Sequence, residues 1–320
     1  DPRIGFRLEF NSYEYLLTQF RVITRYIGLL FFPVNQNFDY NFSISRGFLN
    51  PPSTLLSFLF LFFLVGLALF LYKRWRIGSF AILWFFLILS PTSSIVPLID
   101  VIMEHRVYLA AAGSFLLFSL GLYHAYKTFR AAQKIKTYIS FFAILILTGS
   151  LTYATTKRNM VWTNRLSFWE DVVNKSPLKA RGYVLLGSAY WEKGLTDLAE
   201  AAYKKSTIVA GNGEKANSIL ALALLYAETG KKGEALSEME KALSFNPMKS
   251  PDIHYVIGAI YAMAGYNVKA IENYEEALNK SPGFITARYA LGDLYREMGF
   301  YEDAINQYAE IIKISPNAPK

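Results

Sequence analysis

Long apolar runs dominate the first half of the chain, whereas the second half mixes apolar and polar positions with a helical period. Four segments are long and apolar enough to cross about 30 Å of hydrocarbon, and none has a charged residue at its centre. Four such helices in a row are rare in a soluble core. The pattern therefore predicts a transmembrane domain over residues 1–156, with spans at 54–72, 79–98, 107–126 and 137–155.

The segment 13–32 is ambiguous. It has a helical pattern, ends at Pro33, and carries Arg21 and Arg25. It fits a fifth span whose basic residues face a cavity, or a helix lying in the outer interface, and we favour the second interpretation. Residues 33–52 then form an outer loop.

Charge predicts the topology of these spans. The loops 73–76 and 127–136 contain seven basic residues and no acidic one. Because cytoplasmic loops carry an excess of Lys and Arg, both loops are predicted to face the cytoplasm. Everything after residue 155 then lies outside, in the periplasm of a bacterial inner membrane or in a eukaryotic lumen. The basic excess belongs to the apolar half, so it does not indicate nucleic-acid binding.

Several kinds of chemistry are missing from the sequence. There is no cysteine, which excludes disulfides, thiol catalysis and Cys-ligated metals. The three histidines are far apart, and no phosphate loop, nucleophile elbow or HExxH motif occurs, so we assign no metal, cofactor or catalytic residue. The chain begins at Asp1 without Met or a signal peptide, and we expect further membrane segments upstream.

Tyr, Gly, Ala and Pro recur in the second half with a period near 34 residues. Units begin near 180, 216, 251 and 285. Each has a small residue after Leu or Ile, a Gly that ends the first helix, and an Ala in the second. This is the pattern of tetratricopeptide (TPR) repeats, in which a helix A is followed by a helix B. The fold class is therefore all-α: a multispan membrane domain followed by a solenoid of four repeats over 180–320.

Residues 157–179 are predicted to be a connector whose end matches the second helix of a repeat. Trp162 and Trp169 lie in it, and Pro177 ends it. The two tryptophans fit an interfacial anchor as well as they fit packing in the first helix pair.

A solenoid of this kind has a concave groove lined by the A helices. Aromatic and Arg side chains are good anchors for an extended peptide, so we expect a protein or peptide partner there. The alternative is a solvated groove without a ligand. Counting within units places these residues in the groove: Arg181, Trp191, Asn217, Tyr255, Tyr289, Asp293 and Arg296.

One charged cluster lies at the outer mouth of the third span. Glu104, His105, Arg106 and Tyr108 follow a polar break in the second span at 90–94. Charges at this depth are costly unless they are paired or hydrated. The cluster fits Arg106 snorkelling to lipid headgroups, or a cationic site for an anionic lipid-linked substrate, since Arg binds phosphate bidentately.

Three segments resemble TPR-containing O-mannosyltransferases and their bacterial relatives, which are membrane glycosyltransferases of the GT-C type. They are residues 90–115, residues 158–190, and the segment 31–40 with Asp39 and Tyr40. The resemblance implies a polyprenyl-phosphate-sugar donor and transfer to hydroxyl groups of proteins outside the cytoplasm. It also implies that Arg106 binds the lipid phosphate, with Glu104 orienting it and Tyr108 nearby.

The chain departs from that family in two respects. His105 stands between Glu104 and Arg106. The acidic catalytic residue of the family lies in a first outer loop that would precede Asp1, so no residue here inherits its role. Two hypotheses follow: the C-terminal part of a glycosyltransferase whose groove recruits the acceptor protein, or a non-catalytic, membrane-anchored TPR scaffold subunit.

Overall fold

The computed structural model describes residues 10–98, 100–129, 133–245 and 250–315, and within these ranges the chain forms helices and no strands. The described residues fall into two compact units, one ending at Pro177 and one beginning at Leu178. The first unit contains six α-helices: α1 Ser12–Phe31, α2 Ser53–Leu71, α3 Arg76–Leu89, α4 Val107–Thr128, α5 Gln133–Trp162 and α6 Arg165–Lys175.

Three helices of the first unit are long and apolar enough, by length and composition, to cross a membrane. They are α2, α5, and α4 together with the 3-10 turn Glu104–Arg106 that precedes it. Few of their side chains are buried within the protein; for α5 none are. Their outward faces carry side chains such as Phe62, Phe141 and Ile146, which are mostly exposed. Apolar surface of this extent needs a partner other than water.

The second predicted span is shorter than the sequence pattern suggested. The prediction was 79–98, but α3 ends at Leu89 and has 14 residues, a length of about 21 Å. The polar residues that follow it turn the chain, with the backbone N–H of Ser93 donating to the Leu89 carbonyl at 2.9 Å. Ser90 keeps helical backbone angles, and the Pro directly after it favours the end of the helix because Pro has no backbone N–H to continue the helical hydrogen bonds.

Helix α1 begins with a capping box, in which Asn11 and Glu14 each bind the other's backbone N–H at 2.9 and 3.1 Å. One face of the helix is fully buried and donates hydrogen bonds to the segment before α4. Gln19 Nε2 donates to the Val101 carbonyl at 3.0 Å, and Tyr26 OH donates to the Met103 carbonyl at 2.9 Å. Helix α1 is therefore an integral part of this unit. It is not one of the helices apolar enough to span.

The second unit is a series of four helix pairs. The pairs begin at residues 180, 212, 251 and 285, and the predicted units at 180, 216, 251 and 285. The pairs are α7 Ala180–Glu192 with α8 Thr196–Val209, α9 Asn212–Glu228 with α10 Lys232–Phe245, α11 Pro251–Ala264 with α12 Asn267–Lys280, and α13 Ile285–Glu297 with α14 Tyr301–Ile314. A glycine with φ between +72° and +88° follows helix A in every pair, as predicted: Gly194, Gly230, Gly265 and Gly299.

Within a pair, helices A and B approach most closely at one small residue. A Cβ added at Gly258 would lie 2.7 Å from the ring of Tyr274, sixteen residues later, and Gly187 and Gly292 meet Tyr203 and Tyr308 in the same way. In the second pair the equivalent residues are Ala223 and Met239, both buried in one cluster. A flexible Met thus accompanies the larger Ala, and a rigid ring accompanies Gly.

Gly258→Ala is expected to destabilise the third repeat. Overpacking against the buried Tyr274 ring costs about 1–3 kcal/mol, which exceeds the roughly 1 kcal/mol or less that Ala gains over Gly in a helix once the ring cannot move. Adding Tyr274→Met should restore stability, because it recreates the pair found in the second repeat. Hydrogen exchange of the α11 and α12 amides measures the effect.

Gly233→Ala provides the matched control, since this glycine lies in α10 with open space around the position of an added Cβ. Gly233→Ala should slightly increase the protection of the helix amides from hydrogen exchange. Unchanged protection in Gly258→Ala, or no recovery in the double variant, would contradict the packing argument.

Candidate functional site

The predicted charged cluster lies at the start of α4 and contacts the predicted outer loop. Glu104 Oε1 accepts hydrogen bonds from the backbone N–H of Asn37 at 2.9 Å and from Tyr40 OH at 2.5 Å. Burial raises the pKa of Tyr40 to about 12, and the hydrogen bond to the Glu104 carboxylate acts in the same direction. Tyr40 therefore remains a neutral donor at physiological pH. The structure brings together Glu104 and Tyr40, two residues predicted separately.

Asp39 and Arg106 are held by backbone contacts of this region. Asp39 is only 4% exposed, and its carbonyl accepts from Asn37 Nδ2 at 3.0 Å. The Arg106 guanidinium donates to the carbonyl of Asp100 at 2.8 Å and lies near Tyr15. Glu104 and Arg106 thus have different hydrogen-bond partners, and the role of Glu104 in orienting Arg106 stays a prediction.

The remaining members of the cluster face outward. His105 is exposed, and Tyr108 is 78% exposed. Within the described ranges no group of three or more His, Cys, Asp or Glu side chains could hold a metal ion.

The outer loop also binds the connector helix α6. Asn37 Nδ2 donates to Ser176 Oγ at 2.8 Å, and Lys175 Nζ donates to the Gln36 carbonyl at 2.8 Å. Beside these bonds, the Phe38 ring meets three aromatic rings edge-on, with centroid distances of 6.2, 5.3 and 6.0 Å to Trp162, Phe168 and Trp169. The connector is therefore fastened to the loop at 36–41.

The junction shows how the two tryptophans are packed. Trp169 is buried and Trp162 is half exposed, and both pack on Phe38 of the outer loop. Sequence reasoning missed Asn37, Phe38 and Ser176. The only signal in the sequence was the concentration of aromatic residues at 162–169. That signal does not reveal a partner more than 120 residues away.

The predicted groove residues lie on the first helices of the four pairs, α7, α9, α11 and α13, whose shared side we call the A-helix face. Asn217 and Arg296 are exposed, and the other predicted members are half-buried. Two of these residues pack within their own repeats: the Tyr255 ring lies 6.0 Å from that of Tyr274, and Tyr289 lies 6.3 Å from Tyr308. Arg181 is likewise half-buried at the start of α7.

At the last repeat, Asp293 joins two of the other polar side chains. Its Oδ1 accepts from Tyr308 OH at 2.8 Å and pairs with Arg296 at 3.0 Å. This carboxylate is therefore already neutralised by a neighbouring cation.

One carboxylate on an A helix, Glu228, lies outside the predicted set. Glu228 ends α9, and its carboxyl lies beside the Trp191 side chain of α7. Burial raises the pKa of Glu228, while Trp191 acts in the opposite direction. Burial also raises the pKa of Tyr255 on α11, and the charge of Glu228 adds to that effect. Glu228 itself is exposed, and Trp191 and Tyr255 are half-buried.

Comparison with known proteins identifies the repeats. A family model described as a tetratricopeptide repeat matches residues 180–207, 216–247 and 285–318. The second unit therefore contains TPR repeats. The pair α11–α12 lies outside the matched residues but has the same Gly–Tyr packing as its neighbours. No curated protein matches the chain.

Solved structures similar to this chain include other TPR proteins. A crystal structure of MamA is 24% identical and covers 47% of this chain and 86% of its own, with a TM-score of 0.37. TTC0263, a thermophilic TPR protein of Thermus thermophilus, is 22% identical over 53% of this chain and 90% of its own, with a TM-score of 0.43. YrrB, titled a TPR protein with an unusual peptide-binding site, is 20% identical over 57% and 86%, with a TM-score of 0.36.

Proposed function

We propose that this protein is a membrane-anchored scaffold whose A-helix face binds an extended segment of a partner protein. The observation that supports this most is the composition of that face. Three of the A helices carry half-buried aromatic rings, among them Trp191, Tyr255 and Tyr289, and the polar residues Asn217 and Arg296 are exposed. Rings supply contact area at low conformational cost, and polar groups can bind a peptide backbone.

The membrane anchor is supported by the apolar helices of the first unit. Helices α2, α4 and α5 are long enough to cross a bilayer and bury few side chains within the protein. Together with the basic loops, they favour a bacterial inner membrane with the repeats on the periplasmic side. In that arrangement the lipid bilayer is the partner of the outward apolar faces.

A photo-crosslinking amino acid at Asn217 tests the scaffold function. Asn217 is exposed on the A-helix face, whereas Glu272 is exposed on α12, a B helix, and serves as the control position. We expect a discrete polypeptide adduct from position 217 and none from position 272, read out by gel shift and mass spectrometry of the full-length protein. Adducts of equal yield at both positions, or none at either, would contradict the proposal.

A second candidate function is glycosyl transfer from a polyprenyl-phosphate-sugar donor, with the repeats recruiting the acceptor protein. The contact between Tyr40 and Glu104 favours it, because two segments that carry the resemblance to O-mannosyltransferases meet there. In this function the Arg106 guanidinium would bind the lipid phosphate.

Arg106→Ala should then abolish sugar transfer from a polyprenyl-phosphate donor in the full-length protein. Lys73→Ala, a change at an exposed basic residue of the loop 73–76 outside this cluster, should leave transfer within about twofold, because a surface substitution removes no buried contact. Transfer that survives Arg106→Ala would remove this role from Arg106.

A further inference from the structure

A cleft separates α4 from α5 along the halves of these helices that adjoin their connecting loop. The cleft has a volume of about 510 Å³. Its lining is mostly apolar and comes from both helices, with Phe118, Leu122, Tyr126, Ile139, Ala143 and Leu147 among its members. Because α5 has no buried side chain among the described residues, the helices leave this space open.

The length of the cleft matches one leaflet of a bilayer. Its lining extends from Phe129 back to Phe118 on one side and from Lys136 to Leu147 on the other. Each side covers about eleven residues, which rise about 16 Å in a helix. One leaflet supplies about half of the 30 Å hydrocarbon core. The cleft therefore runs from the loop end of two candidate spans to near their middles, which is the reach of one acyl chain.

Lysines lie at the loop end of the cleft. Lys136 lines it, with Nζ 5.7 Å from the centroid of the Tyr126 ring, and Gln133 Nε2 donates to Tyr126 OH at 2.7 Å. Lys127 and Lys134 are exposed at the same ends of α4 and α5, and neither helix contains Asp or Glu. An apolar cleft with a cation at one end is complementary to a lipid whose anionic head continues into acyl chains.

We infer that the cleft between α4 and α5 binds one anionic phospholipid, with an acyl chain along the apolar lining and the headgroup phosphate at Lys136. This inference rests on the proposed membrane anchor and names a lipid that the anchor holds. The cleft adjoins the opposite end of α4 from Arg106, so it is separate from the charged cluster described above. A helix of another protein could fill the same space, but it would leave the cation at the loop end without a counter-charge.

Native mass spectrometry of the full-length protein in detergent tests this site. Phosphatidylglycerol is the anionic lipid, and phosphatidylcholine with the same acyl chains is the zwitterionic comparison. We expect one phosphatidylglycerol to remain bound, with an affinity about fivefold above that of phosphatidylcholine, because one lysine near an anionic headgroup contributes about that factor.

Two variants separate the headgroup contact from the acyl-chain contact. Lys136→Gln should lower the affinity for phosphatidylglycerol about fivefold and leave that for phosphatidylcholine unchanged. Ala143→Phe places a ring in the cleft and should weaken the binding of both lipids. Lys73→Gln, in the other basic loop, and Ala154→Phe, on α5 outside the lining, are the matched controls and should bind both lipids as the unchanged protein does.

Equal binding of the two lipids, or a preference for phosphatidylglycerol that survives Lys136→Gln, would overturn the inference. A dimer mass without bound lipid would also overturn it, because a helix of a second copy would then fill the cleft. Alkaline carbonate extraction of membranes distinguishes this failure from failure of the proposed anchor. Protein that stays in the membrane pellet retains the anchor and loses only the lipid site, whereas protein that is released contradicts both.

Discussion

The close approach of two helices at a single small residue is the contact on which the repeat half depends. Where the residue is glycine, a tyrosine ring of helix B lies where a Cβ would be, and where it is Ala223 the partner is Met239. This contact sets the distance between the helices of a pair. It thereby fixes how the two helices of each pair present their side chains.

A different contact organises the first unit. The loop after α1 binds the Glu104 carboxylate and also binds Ser176 and the aromatic residues of the connector. Asn37 takes part in both, through its backbone N–H and its side-chain amide. One short loop thus joins the start of α4 to α6. Helices α2, α4 and α5 bury few side chains within the protein and present mostly exposed apolar faces.

Local patterns in the sequence were enough to predict most helices. The four repeats and their left-handed glycines were predicted because each depends on residues within one unit. The extent of the span at 79–98 was wrong, since hydropathy gave too little weight to the polar turn after Leu89. The loop–connector junction could not be predicted, because Phe38 and Trp169 are brought together only by the tertiary fold.

Cysteine accessibility is the most direct measurement of whether the A-helix face lies outside a membrane that holds the first unit. The chain has no cysteine, so Asn217→Cys and Lys134→Cys each give a single exposed thiol. A membrane-impermeant maleimide added to intact spheroplasts should label position 217 at once and position 134 only after permeabilisation. The reverse pattern, or labelling of both positions in intact spheroplasts, would contradict this placement.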